Sequence, residues 1–129
     1  MVAGQSGRLM PALTYLACAL AAPSPSLAAE PAPAGSYARA HYDVFLVENC
    51  GLLTAEVLRG FEIAREERRL AEGLDEAGAR AARHDAGVAF DLEYQNRGLG
   101  GARRWCRLDG KAAALAFFAR FIEERYPEP

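Results

Sequence analysis

The sequence predicts an all-α protein: a small four-helix bundle-like domain with one disulfide, preceded by a signal peptide. Three observations predict it. Apolar residues recur at three- and four-residue spacing along most of the chain. No run alternates apolar and polar residues as a half-buried strand does. Good helix caps and glycine stops divide the periodic segments.

The chain has 129 residues, half of them apolar and a quarter charged, with a formal net charge of −2. That length suits one domain. The charge gives no global field of the kind that nucleic acid or an anionic membrane attracts, so neither is expected as a partner. The basic residues are almost all arginine, Lys111 being the one lysine.

Residues 1–28 read as a secretory signal peptide. Arg8 supplies the positive start, Leu9 to Ala22 the apolar stretch, and Pro23, Ser24 and Pro25 the break. Ser26-Leu27-Ala28 sets small residues for a cut before Ala29, and a cut after Ala29 is nearly as good. The apolar stretch is shorter than the ~20 residues of a membrane span and is interrupted by Pro11, so no stable membrane insertion is expected after cleavage. Two alternatives are an uncleaved anchor and a lipid acceptor at Cys18, although Tyr15 stands where such acceptors usually have leucine. The expected destination is the periplasm or the exterior.

The mature chain would keep two cysteines, Cys50 and Cys106, and no methionine. Two cysteines in an oxidising compartment are expected to pair. Two thiols supply only half of a structural zinc site, and the histidines lack finger spacing, so no metal is expected.

Residues 29–35, rich in Pro and Ala, read as a flexible linker, and 36–126 as the helical domain. Ser36 caps a first helix with Ala38, Tyr42, Phe45, Leu46 and Asn49 on one face. It ends near Asn49, before Gly51. Thr54 caps a second helix, with Val57, Leu58, Phe61 and Ala64 inward and Gly73 as its stop. Asp75 caps a third, whose side Ala77, Ala81, His84, Val88 and Leu92 is expected to face the core, with Phe90 and Tyr94 covered on a second flank. A fourth helix runs from about Ala102 to Tyr126, with Asp109-Gly110 expected to break or kink it. Phe117, Phe118, Phe121 and Tyr126 broaden its apolar surface. That breadth suits either the central helix of the bundle, the favoured reading, or a partner or homodimer seam.

The most distinctive segment is Asn96-Arg97-Gly98-Leu99-Gly100-Gly101-Ala102-Arg103-Arg104-Trp105-Cys106-Arg107. Three glycines sit before a helix start with four arginines around them, a pattern able to grip a carboxylate or phosphate. Asn96, Arg97, Arg103, Arg104 and Arg107 are the candidate residues for an anionic ligand or a protein partner. The competing reading pairs Asp91 and Glu93 with Arg103, Arg104 or Arg107, cancelling unfavourable charges at both helix ends. The glycines are not a dinucleotide fingerprint, because no strand precedes them.

Catalysis is the weaker expectation. The mature chain has only Ser36 and Thr54 as aliphatic hydroxyls, both explained as caps. His41 and His84 could reach a haem or metal from two helices, but no haem-attachment motif is present and no cofactor is expected. The function expected is therefore that of a small exported binding or interaction module, engaging an envelope protein or an anionic group. The alternatives are an envelope-stress or chaperone-like helical protein and an enzyme using surface carboxylates.

Overall fold

The computed structural model describes residues 32–129, and the expected signal peptide lies outside them. All regular structure among the described residues is helical: α1 (Tyr37–Asn49), α2 (Ala55–Ala71), α3 (Glu76–Asn96) and a fourth helical arm. That arm comprises α4 (Gly101–Trp105), a π-helical turn (Cys106–Gly110) and α5 (Lys111–Arg125). Residues 32–35 turn back so that the Ser36 N–H donates to the Pro33 carbonyl at 3.1 Å.

Each of the first three helices starts where a short polar side chain can satisfy an orphan amide. Ser36 accepts from the Arg39 N–H, Thr54 from the Val57 N–H and Asp75 from the Gly78 N–H. The stops are as local. Gly51, just beyond α1, has φ +68°, a left-handed conformation that a side chain would oppose.

The bundle is organised around α1, not around the fourth helix as its aromatic content suggests. Seven of the 13 residues of α1 are buried, against Phe117 alone in α5. Helix α1 packs on α2, α3, α5 and the π turn, whereas the other helices have open flanks. One core joins Ala40, Val44 and Val47 of α1 with Val57, Phe61 and Ala64 of α2 and Phe117 of α5. A second joins Tyr42 and Leu46 of α1 with Ala86 of α3 and Trp105 of α4. Short side chains on α1 let three helices approach it at once, while bulky Phe117 and Trp105 reach in from the fourth arm.

Helix α3 meets the core on a different side from the one periodicity selects. Ala86 is buried and Ala89 and Phe90 pack beside it, while Val88 (45% exposed) and Leu92 (36%) face solvent. Ala77, Ala81 and His84 are exposed as well, and Tyr94 on the supposed second flank is 49% exposed. The physical reason is aromatic packing. Phe90 stacks on Trp105 with centroids 5.5 Å apart and meets Tyr42 and Phe45 at 6.2 Å, fixing the rotation of α3.

The fourth arm runs through its π turn without a break in the helical backbone, and Asp109 makes no cap there. The turn holds Cys106, bonded to Cys50 at the C-terminal end of α1, with a Cα–Cα distance of 5.4 Å. Gly110 closes the turn against the same bridge: a Cβ added there would come within 2.9 Å of the Cys50 Sγ.

Candidate functional site

The Gly/Arg segment forms the link between α3 and α4. Gly98 and Gly100, at φ +61° and +85°, reverse the chain over four residues, and only glycine takes such angles without strain. The reversal sends the four arginines in two directions.

Arg97 turns inward. Its guanidinium carbon lies 4.4 Å from the centroid of Trp105, and its Nη2 is 2.5 Å from the Glu93 carboxylate and 4.0 Å from Asp109. Its buried Nε has no hydrogen-bond partner among the described residues. Arg97 therefore lids the second core and is engaged by the protein's own acids. The expected pairing of Asp91 and Glu93 with Arg103, Arg104 or Arg107 does not occur. Glu93 takes Arg97 instead, one helical turn away and on the same face, and no ion pair joins Asp91 to these arginines.

Arg103, Arg104 and Arg107 are exposed and form no ion pair among the described residues. Arg103 and Arg107 line an open groove of about 680 Å³ together with Asn49, Tyr94, Ala102 and the Cys50–Cys106 bridge. No carboxylate among the described residues lines this groove. Asn96, the last residue of α3, is exposed and is not part of the wall, and neither is Arg104. The structure thus brings together two of the five candidate residues and adds two that sequence reasoning did not select, Asn49 and Tyr94. Asn49 occupies the end of α1 and Tyr94 the last turn of α3; the packing of α1 on α3 makes them neighbours, and the disulfide sets the fourth arm beside them.

Chemically, the groove offers two guanidinium forks, the Asn49 amide and the Tyr94 phenol around an apolar patch of Ala102 and sulfur. It can bind an anion bidentately. Its sulfurs offer no thiolate, because the cysteines are bonded to each other.

The other titratable groups among the described residues do not build a second centre. His41 is 3% exposed and surrounded by Tyr37, Phe61 and Phe45, with centroids at 4.7, 5.2 and 6.1 Å. Burial, reinforced by Arg83 and Arg65, lowers its pKa to about 4, so it is neutral at pH 7. His84 is exposed on α3. Burial lifts the Asp43 carboxyl above its usual range, although Arg39 donates to it at 2.8 Å. Asp43 is thereby a single acid tied to a cation, not the matched acid and base that hydrolysis requires. No cluster of three metal-ligating side chains occurs among the described residues, and no helix there is long and apolar enough to cross a membrane.

No protein-family model matches the chain, and no curated protein or solved structure is significantly similar to it.

Proposed function

We propose that this is an exported, non-enzymatic binding module whose Arg103/Arg107 groove takes an anionic group, most simply a carboxylate presented by an envelope protein. One observation carries the reading: two arginines share an open groove that no carboxylate among the described residues lines, while Arg97, six residues before one and ten before the other, is already engaged. Leaving adjacent cations unpaired costs stability by mutual repulsion, and an anionic ligand would relieve it. The disulfide supports the exported part, because such bonds persist in oxidising compartments.

The test is a titration of the 15N-labelled protein, residues 29–129, with inorganic phosphate and separately with a short Asp/Glu-rich peptide. The expected shifts lie at the amides of Asn49, Tyr94, Arg103 and Arg107, and they disappear in the R103A/R107A double variant. Peptide binding should weaken as salt rises, since exposed charges are screened within ~8–10 Å at ordinary ionic strength. Shifts elsewhere, or equal binding by R103A/R107A, would refute the groove as a site.

The chaperone-like alternative draws on the exposed Leu115, Phe118 and Ile122 of α5. It would require the protein to suppress aggregation of unrelated clients, an activity that L115E/F118E would remove.

A further inference from the structure

Helix α5 is apolar on two opposite sides. Phe117, Ala113 and Ala114 face the core. On the far side Leu115 is 58% exposed, Phe118 41% and Ile122 37%. Beside these three bulky residues runs a second exposed row, Ala112, Ala116 and Ala119, about a quarter-turn around the helix. A surface helix ordinarily turns a charged face to water. Here the outward strip carries its charges only towards the ends, with Lys111 and Asp109 at one and Glu123 and Arg125 at the other.

We propose that this strip is a homodimer seam, in which α5 packs antiparallel against α5 of a second copy. The two rows are self-complementary in one register. With the two-fold axis level with residue 117, Leu115 lies in the same layer as Ala119 of the other copy, Phe118 with Ala116, and Ile122 with Ala112. Every layer then holds one bulky and one small side chain, so layer volumes stay even and the helices can approach to about 8 Å. The same register sets Lys111 level with Glu123 of the other copy and Asp109 level with Arg125. The seam's ends therefore meet with opposite charges rather than like ones.

The size of the surface sets the class of interface to expect. The 15 residues of α5 make a strip about 22 Å long. Two such strips bury roughly 1,000 Å², the lower bound for a specific interface, which points to a reversible dimer in the micromolar range. The seam is independent of the Arg103/Arg107 groove and stands or falls separately from it.

The experiment is sedimentation velocity on the disulfide-bonded protein, residues 29–129, from about 1 μM to about 1 mM, a range that spans weak dimers. Wild type should pass reversibly from monomer to dimer. L115E should remain monomeric with unchanged far-UV circular dichroism, and V88E, which alters exposed α3, should associate as wild type does. A116L separates a packed seam from general stickiness. It adds apolar surface yet overfills the layer shared with Phe118, so the proposed dimer should weaken by about tenfold. A monomer throughout the range, a tighter A116L dimer, or a dimer lost in V88E would each overturn the proposal.

Discussion

Gly60→Ala is the sharpest test of how α2 and α5 meet. Gly60 is buried in the interior of α2, a position where alanine would favour the helix by roughly 0.5–1 kcal/mol. The tertiary structure reverses the sign. An ideal Cβ at Gly60 would overlap the Phe117 carbonyl oxygen and stand 2.5 Å from the carbonyl carbon and 3.1 Å from the Cα. Carbon atoms rest at about 3.5–4.0 Å, so the helices must separate by about 1 Å. Such a gap forfeits a quarter to a half of the dispersion contact along it, and overpacking of this kind costs typically ~1–3 kcal/mol or more. The core residues Val57, Phe61, Ala64 and Phe117 all lie at this junction. We expect a net loss of roughly 2–4 kcal/mol, a large part of the ~5–10 kcal/mol available to a domain of this size. The assay is urea denaturation followed by circular dichroism, with Gly87→Ala as its counterpart. A Cβ at Gly87, within α3, would meet only Phe45 Cε2 at 3.8 Å, an ordinary contact. Gly87→Ala should therefore gain up to ~1 kcal/mol. If Gly60→Ala proves as stable as wild type, the close crossing of α2 and α5 is wrong.

Three further outcomes follow from the same structure. The Cys50–Cys106 bridge spans 56 residues, for which loop-closure entropy gives ~4 kcal/mol; Cys50→Ser should lower the denaturation midpoint accordingly, and an unchanged midpoint would show the bond to be inert. His41 titrates at about 4 when folded and near 6.5 when unfolded, so between these values the unfolded chain binds more protons. Stability should hold above pH 6.5 and fall as pH drops towards 4, by up to about 3 kcal/mol, and His41→Phe should remove that dependence; parallel pH profiles would contradict it. Arg97→Ala removes the guanidinium from Trp105 and leaves Glu93 unpaired, an expected cost of ~1–2 kcal/mol; Arg97→Lys should recover only part, because a lysine cannot stack flat on the indole. Thermal melts of the two variants that coincide with wild type would show that the lid contributes nothing.

How much was legible in the sequence depends on the range of the interaction. Gly60 illustrates the boundary: a glycine inside a strongly periodic helix is a signal of close packing, but the residue it makes room for, Phe117, is 57 positions away. The groove shows the same limit. Arg103 and Arg107 stood out as a charge cluster, whereas Asn49 and Tyr94 have no local mark and become wall residues only when α1, α3 and the fourth arm converge. Arg97 is indistinguishable in sequence from its neighbours, yet Glu93 four residues before it and Trp105 beneath it take it inward.

By itself the sequence determined the helices, their starts at Ser36, Thr54 and Asp75, and the pairing of Cys50 with Cys106. Caps satisfy amides two or three residues away, and the two cysteines outside the expected signal peptide leave one intramolecular pairing, so neither depends on the rest of the fold. Tertiary structure alone decided which faces are buried. On α3 the side bearing Ala77, Ala81, His84, Val88 and Leu92 and the side bearing Ala82, Ala86, Ala89 and Phe90 are both apolar enough to be core. On α5 the two sides are equally ambiguous. Periodicity gives the axis of such a helix but not its rotation, which is set by where the large rings of Phe90, Trp105 and Phe117 find room beside the small residues of α1 and α2.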